Sequence, residues 1–323
     1  MRTFKYVLKR IGLMMMVFMV IMTICFVLIK MLPISNEAQT GAQAAIEEAR
    51  REALGYNEPI LVQYGIYLKN IFTKWDWGTS WEIEYMKGVG EVISTKLTPT
   101  ILLNIYSILF SVPVGIGLGI LAAIKKNKWQ DHLISLGVMV FISVPSYVYA
   151  FILQYTMGFK LGLFPVVISS LYDAGGTWFS STMLKSMVLP VLALSFSTIA
   201  SLARFTRAEL TESLTSDYML LARTKGLTKA QATIRHAMRN CFVVVVPAIF
   251  GEFIGILGGS LIIEKIFAIP GVGGLTINAI NGRDYPIFML TTVFYTAIGL
   301  VASLVVDISY GFIDPRIRMG SKK

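Results

Sequence analysis

Long, uninterrupted blocks of apolar residues constrain this sequence more than any other feature. The chain of 323 residues contains six of them. They are Ile11–Ile29 and, approximately, Thr100–Ile124, Leu133–Met157, Met187–Ala203, Phe242–Ile263 and Ile287–Tyr310. Each block is close to the ~20 residues that an α-helix needs to cross about 30 Å of hydrocarbon. The sequence therefore predicts an all-α integral membrane protein with six transmembrane helices, in which prolines 113, 145, 190 and 247 are candidate kinks and not helix ends.

Composition supports a membrane location. Hydrophobic residues make up 55% of the chain and charged residues only 15%, whereas soluble domains contain about 25% charged residues. The net charge of +10 could indicate a nucleic-acid partner. The basic residues, however, cluster at the ends of the apolar blocks, so no binding to nucleic acid is expected.

The distribution of lysine and arginine predicts the orientation of the helices. Most of the 29 such residues lie in four connections: the residues before Ile11, 125–132, 203–241 and the tail after Tyr310. Loops 158–186 and 265–286, on the opposite side, carry two each. Because cytoplasmic loops retain positive charge, both termini are predicted to be cytoplasmic. The first block exceeds the ~7–15 apolar residues of a signal peptide and is predicted to be an uncleaved transmembrane helix.

Residues 33–96 are much more polar and are predicted to form an extracytoplasmic insertion. A helix is expected over the Ala/Glu-rich stretch Glu37–Leu54, followed by an amphipathic segment over Tyr64–Phe72 and a cluster of three tryptophans. Tryptophans favour the membrane–water interface. An insertion that lies on the bilayer is therefore favoured over a contact surface for an external partner.

A basic, helix-forming segment, Asp217–Asn240, separates the fourth and fifth apolar blocks. Gly226 is expected to end a first short helix, because glycine accepts the left-handed conformation found after a helix C-cap. Thr228 suits the N-cap of a second helix that runs through Asn240. The segment also contains leucines beside its charges. Exposed apolar groups favour a docking surface, with an ordinary solvated loop as the alternative.

Three acidic residues lie inside the apolar blocks or at their ends. Glu252 is deep in the fifth block, Glu264 at its outer end, and Asp307 near the inner end of the sixth. Acidic residues within a membrane are functional candidates. Because no basic or histidine side chain lies within the helices near Glu252, an interhelical hydrogen bond or a polar pathway lining is expected there. A proton relay, as in an ion-coupled secondary transporter, is the less favoured alternative.

Neither a catalytic nor a metal site is expected. The glycine-rich run that begins at Gly271 lacks the Gly-Lys-Ser/Thr ending of a phosphate-binding loop, and Pro270-Gly271 indicates a turn. Two cysteines and two histidines, scattered along the chain, supply too few ligands for a metal. If transport is driven by ATP, partner subunits must hydrolyse it.

The basic segment resembles the EAA loop of ATP-binding-cassette (ABC) importer permeases, in the version typical of peptide permeases. The wider consensus is Glu-Ala-Ala, three residues and Gly; this chain keeps Ala222 and Gly226 but has Leu220 and Leu221 in place of the glutamate and the first alanine. The resemblance implies that the loop couples to a cytoplasmic ATPase. The residues that match are Asp217, Tyr218, Ala222, Arg223, Lys225, Gly226, Leu227, His236, Arg239 and Asn240.

Other motifs extend the resemblance along the chain in the order found in the family. The first helix with its long outer segment, including Gln63-Tyr64 and Gly78-Thr79-Ser80, resembles the B-type permease of oligopeptide and dipeptide importers. Two further motifs start at Lys96 and at Asp314. Residues of the outer-side motifs are implied to contact an extracytoplasmic partner or to form a gate: Glu264, Pro270, Gly271, Gly273, Arg283 and Asp284.

The resemblance implies the type I ABC importer permease fold in a bacterial plasma membrane. Its parts would be residues 1–32 (cytoplasmic segment and first helix), the insertion 33–96, a transmembrane domain 97–310 with a coupling loop 204–241, and a cytoplasmic tail 311–323. The implied partners are a C-type permease, two ATP-binding subunits that bind ATP and Mg, and a peptide-binding protein. This chain would hold no cofactor. Oligopeptides are the implied substrate, with dipeptides, nickel or glycosides as alternatives.

Overall fold

The computed structural model describes residues 2–31, 49, 52 and 58–313. Within these residues, Thr79 and Gly88 form an isolated antiparallel bridge, and the regular structure is otherwise helical. The α-helices are α1 (Arg2–Met31), α2 (Ile60–Lys74), α3 (Val89–Ile124), α4 (Trp129–Ser143), α5 (Ser146–Leu153), α6 (Ser181–Leu214), α7 (Asp217–Thr224), α8 (Lys229–Ala232), α9 (Met238–Ile266), α10 (Val272–Asn281) and α11 (Tyr285–Ile313). Two π-helical segments, Gln154–Lys160 and Thr233–Ala237, follow α5 and α8. The predicted Glu37–Leu54 helix and the motif at Asp314 fall almost wholly outside the described residues.

The described helices confirm an all-helical protein with several membrane spans. Five continuous stretches are long and apolar enough to cross a bilayer: Val7–Met31, Val89–Ile124, Ser181–Leu214, Lys229–Glu252 and Tyr285–Ser309. Their positions agree with five of the six predicted spans. Pro113, Pro190 and Pro247 lie inside helices α3, α6 and α9, as predicted.

The predicted second span, Leu133–Met157, is broken. Helix α4 ends at Ser143, the chain resumes as a helix at Ser146, and the two parts are bent by 102°. The prediction that Pro145 merely kinks a continuous helix was wrong. Proline lacks an N–H and disfavours the helical conformation of the residue before it, and Val144 is extended, with φ −100° and ψ 128°.

The corner between α4 and α5 is fastened by aromatic residues. The Tyr149 hydroxyl lies within hydrogen-bonding distance of the carbonyl oxygens of Val140 (3.1 Å) and Phe141 (2.8 Å). The Phe141 carbonyl would pair with the N–H of residue 145 in a continuous helix, and Pro145 has none, so inside a membrane it needs a donor of this kind. Phe196 of α6 packs against both rings, with its ring centroid 4.7 Å from that of Phe141 and 5.5 Å from that of Tyr149. Specific side-chain contacts therefore stabilise the break as a defined corner between the two helices.

The chain divides into two compact units. The smaller consists of Leu8–Thr98 and Gly271–Leu300. Its core forms where α1, α2, α10 and the adjoining parts of α3 and α11 pack together. The buried apolar residues of this core are Met22, Phe26, Ile29, Ile71, Val89, Val92, Ile93, Val272, Leu275, Ala279, Ile287, Met289 and Val293.

The larger unit, mainly Pro99–Pro270, is built around α6, which is the most buried of the five spans. Helix α3 approaches α6 closely at two glycines. A Cβ atom on Gly115 would lie 2.9 Å from the Cβ of Leu202, and one on Gly119 would lie 2.6 Å from the Cβ of Thr206. Small residues four apart allow such backbone contact between membrane helices. Gly117, which points elsewhere, has nothing within 4 Å.

Replacing Gly119 with alanine should destabilise the protein, because the added methyl group overlaps Thr206. Overpacking of this kind costs about 1–3 kcal/mol. Gly117→Ala is the matched control, since it changes the same helix where space is open and should be neutral or slightly stabilising. Thermal unfolding of the purified protein in detergent would measure both. Equal midpoints for the two variants would contradict the close α3–α6 packing.

Candidate functional site

The turn between α7 and α8 has the geometry that the sequence predicts. Gly226 has φ +92° and follows the last residues of α7. Its N–H donates to the carbonyl of Arg223 (3.0 Å), and the N–H of Leu227 donates to the carbonyl of Ala222 (3.3 Å). These two bonds form a Schellman motif, which requires a left-handed residue at this position. The prediction that Gly226 ends the first helix is confirmed.

The second helix begins at the predicted cap but does not end at the predicted residue. The Thr228 side chain accepts a hydrogen bond from the N–H of Gln231 (3.3 Å), and the Gln231 side chain accepts one from the N–H of Thr228 (3.0 Å), which is a capping box. From Lys229 the helix runs through the π-helical segment Thr233–Ala237 directly into α9. The expected end at Asn240 was therefore wrong, and the pair is one short helix followed by the start of a long one.

The inner face of this helix pair is anchored to the larger unit. Met219 and Ala222 of α7 are buried in one cluster with residues of the second helix, of α6 and of α3: Ala232, Ala237, Cys241, Val245, Leu210 and Ala123. Burial alone would raise the pKa of the Tyr218 phenol. Hydrogen bonds with the side chains of Ser213, Ser216 and Asn240 outweigh it, so that the pKa is lowered. Tyr218 thus ties α7 to both neighbouring helices.

The opposite face of the pair is apolar and basic. Leu220 and Leu221 are 66% and 56% exposed, and Ile234 is 66% exposed. The residues around them that are also exposed are Asp217, Arg223, Lys225, Lys229, Arg235, His236, Arg239 and Asn240. A shallow depression lies at the turn, lined by Leu220, Arg223, Thr224, Gly226, Leu227, Thr228 and Lys229. A face of this kind on a rigid support suits docking of another protein.

Asp284, predicted for an outer contact or gate, is fully buried in the smaller unit. Its Oδ2 atom accepts hydrogen bonds from the Ser80 hydroxyl (2.5 Å) and from the N–H groups of Trp81 (3.0 Å), Glu82 (3.0 Å) and Ile83 (3.1 Å). The carboxylate therefore holds the loop before α3 onto the start of α11. A direct contact between Asp284 and another protein would require this network to open. Its neighbour Arg283 is exposed.

Glu264 is likewise fully buried, in the larger unit. Its Oε1 atom accepts a hydrogen bond from the Thr100 hydroxyl at 2.8 Å, which joins α9 to α3. The other predicted outer residues lie in the smaller unit or at its boundary. Pro270 is exposed, whereas Gly271 and Gly273 are buried at the start of α10, so the turn predicted at Pro270-Gly271 leads into a helix.

Glu252, half-buried in α9, forms the interhelical contact that its position predicts. Its side chain accepts hydrogen bonds from Thr198 and Ser201 of α6. Hydrogen bonds between helices stabilise membrane bundles. The alternative expectation, that Glu252 lines a pathway, stays a prediction.

One polar contact in the larger unit was missed by the sequence analysis. Asp131 of α4 is 1% exposed and forms a two-bond ion pair with Arg207 of α6, at 2.5 Å from Nε and 2.8 Å from Nη2. The N–H of Asn127 donates to the same carboxylate at 2.9 Å. The sequence gives no signal for this pair beyond the charges themselves, because 76 residues separate them. The contact fixes α4 to α6 just before α6 leads into the helix pair.

Comparison with known families covers nearly the whole chain. Residues 115–319 match the family described as "Binding-protein-dependent transport system inner membrane component". Residues 3–85 match the model for the N-terminal part of the same kind of membrane component.

Individual relatives align over almost their full length. The chain is 36% identical to the dipeptide transport system permease protein DppB of Lactococcus lactis and 35% identical to that of Bacillus subtilis, covering 98% of this chain and 99% of each relative. It is 30% identical to the glutathione transport system permease protein GsiC of Salmonella paratyphi A, covering 97% and 98%. A crystal structure of an amino acid ABC transporter with histidines is similar in fold, with a TM-score of 0.53, 18% identity, and coverage of 69% of this chain and 94% of that chain.

Removal of the arginine from the Asp131–Arg207 ion pair should destabilise the larger unit. Arg207→Ala leaves the buried Asp131 carboxylate without its counter-charge and its two hydrogen bonds; because the Arg207 side chain is 33% exposed, water screens part of the loss, and we expect a cost of about 1–3 kcal/mol. Arg204→Ala, which removes an exposed arginine one turn earlier, should cost less than about 0.5 kcal/mol. Thermal unfolding in detergent compares the two. A similar loss from both variants would show that the pair does not hold α4 to α6.

Loss of the Asp284 carboxylate should loosen the smaller unit. Asp284→Ala leaves the Ser80 hydroxyl and three backbone N–H groups without their acceptor, and hydrogen bonds to a charged group contribute about 1.5–3 kcal/mol each. We expect a loss of about 3 kcal/mol or more and faster hydrogen–deuterium exchange at residues 81–83. Arg283→Ala, at the exposed neighbour, is the control. Unchanged exchange at residues 81–83 in Asp284→Ala would refute the anchoring role.

Proposed function

Since the chain belongs to the family of binding-protein-dependent transport system inner membrane components, we propose that it is a transmembrane permease subunit of an ATP-driven ABC importer for oligopeptides. It forms half of the translocation pathway with a second, C-type permease. The chain is not an enzyme. Two cytoplasmic subunits bind ATP and Mg and hydrolyse the ATP, and an extracytoplasmic binding protein delivers the peptide.

The helix pair of α7 and α8 is the observation that carries this proposal. Its inner face is buried against α6 and α3, and its outer face exposes Leu220, Leu221 and Ile234 among basic side chains. We assign this outer face to a groove of the ATPase. The EAA glutamate is replaced here by Leu220, so apolar burial contributes to docking where the wider family would place a charge. This assignment requires the face to be cytoplasmic, in agreement with the predicted position of both termini.

Coupling follows from how the helix pair is attached. A ligand can shift a two-state equilibrium only by its differential affinity for the two states. Closure of the ATPase dimer on ATP would move the two docked pairs together, and the covalent continuity from Lys229 into α9 would carry that movement into the membrane. The helices would then alternate between inward-open and outward-open packing. Glu252, hydrogen-bonded to Thr198 and Ser201, lies at the contact between α6 and α9, which such a movement would have to preserve or rearrange. We propose Glu252 as a polar residue of the pathway.

A peptide is the substrate that the relatives favour. Similar chains are dipeptide and glutathione permeases, and glutathione is itself a small peptide. The same proposal places residues 33–96 and the motifs at Glu264, Pro270 and Arg283 on the outer side, as parts of the binding-protein contact or of a gate. A nickel or glycoside permease is the alternative substrate class within the family.

Replacing Gly226 with valine should uncouple ATP hydrolysis from transport. A β-branched residue at φ +92° is strained by about 1–3 kcal/mol, so the turn would shift and α7 would leave its docking position. We expect the complex to assemble and retain ATPase activity, with uptake per ATP reduced about tenfold. Gly137→Val, at a helical glycine of α4 with open space around it, is the matched control. Normal uptake per ATP in Gly226→Val would rule out the coupling assignment.

Uptake in proteoliposomes that contain all subunits tests the substrate class. Labelled peptides of two to about eight residues should accumulate only with ATP inside and binding protein outside. Uptake of nickel or a glycoside without peptide uptake would reject the peptide proposal. Transport that follows a proton gradient without ATP would support an ion-coupled secondary transporter instead.

A further inference from the structure

The short turn that precedes α3 is closed by its own backbone. Thr79 and Gly88 form an antiparallel bridge, the N–H of Ser80 donates to the carbonyl of Lys87 at 2.8 Å, and the N–H of Met86 donates to the carbonyl of Ser80 at 3.1 Å. Met86 occupies the left-handed region, with φ +68°. Residues 82–87, which we call the clamped turn, are therefore held in one conformation.

The base of the clamped turn is joined to the last helix through a side chain. Asp284 accepts the hydrogen bonds of Ser80, Trp81, Glu82 and Ile83 on a single oxygen, and its own backbone immediately precedes α11. Successive N–H groups that point at one anion fix the peptide planes between them. The turn and the start of α11 are thus expected to move together.

The tip of the clamped turn exposes two large side chains among charges. Tyr85 is 42% exposed and Met86 is 47% exposed. Glu82 and Lys87 beside them are also exposed, and Lys87 forms an ion pair with Glu84 at 2.6 Å. Three charged residues within six positions favour water over hydrocarbon around the turn. Aromatic residues and methionine are enriched in protein–protein interfaces, so the tip suits a protein partner.

We propose that the clamped turn is a docking element for the extracytoplasmic peptide-binding protein, with Tyr85 and Met86 as contact residues and Asp284 as the residue that positions them. The inference rests on the proposed function, which supplies the partner and places this turn on the outer side. A preformed turn presents its side chains without the entropy loss of ordering a loop. Because Val89 of α3 follows the turn directly, binding there would act on a helix that spans the membrane.

The test uses the complete complex in lipid nanodiscs, titrated with its purified peptide-binding protein while ATP hydrolysis is measured. In the double variant Tyr85→Ala/Met86→Ala, the half-maximal concentration of binding protein should rise about tenfold or more. ATPase activity without binding protein and co-purification of all subunits should stay unchanged. Tyr172→Ala, at an exposed aromatic residue of the loop before α6 and outside the residues assigned to the binding-protein contact, should leave the half-maximal concentration at its original value.

Asp284→Ala should raise the half-maximal concentration as well, and it should add little to the double variant, because both changes act on one contact. Additive effects would overturn the positioning role of Asp284. An unchanged half-maximal concentration in the double variant, or loss of the second permease from the complex, would overturn the docking proposal. A different result would reject the proposed function itself: the binding protein would then fail to stimulate ATP hydrolysis even in the unaltered complex.

Discussion

Burial of α6 is the constraint on which the larger unit depends. In a bilayer, an apolar side chain gains little by exchanging lipid for protein, so helices associate through close packing and hydrogen bonds. Helix α6 uses both. Helix α3 packs closely against it at Gly115 and Gly119. Arg207 forms an ion pair with Asp131 of α4, and Thr198 and Ser201 donate hydrogen bonds to Glu252 of α9. Phe196 packs its ring against Phe141 at the corner between α4 and α5. A core of buried apolar residues shared by α3, α5, α6 and α9 adds to these contacts.

The proposed coupling surface is rigid for reasons that lie in its caps and its buried side. A Schellman motif and a capping box follow one another between Ala222 and Gln231, and together they satisfy backbone groups at the facing ends of both helices. The buried cluster around Met219 and Ala222 then fixes the pair to the membrane helices. In the proposed coupling, a turn fixed in this way would pass an imposed movement on to the membrane helices.

Features with a local signal could be predicted from the sequence, and those that depend on distant residues could not. The glycine at 226 and the threonine at 228 determine the caps within a few residues of themselves, and both predictions held. The pairing of Asp284 with Ser80 spans 204 residues, and no periodicity connects them. A proline such as Pro145 in an apolar run fits either a kink or a break, because the sequence does not show whether nearby donors can satisfy the carbonyls that the proline leaves without a partner. Here Tyr149, a side chain and not a backbone group, decides the outcome.

The π-helical segment Thr233–Ala237 has a geometric consequence for the pair and the membrane helix that follows it. A π-helical turn holds roughly one residue more than an α-helical turn, and each residue rotates a helix by about 100°. The segment therefore sets the rotation of α9 about its axis relative to α8. Removal of one residue from the segment would turn Glu252 and the rest of α9 by about 100° relative to α8. The proposed coupling surface and the membrane part of α9 are thus oriented relative to each other through this segment.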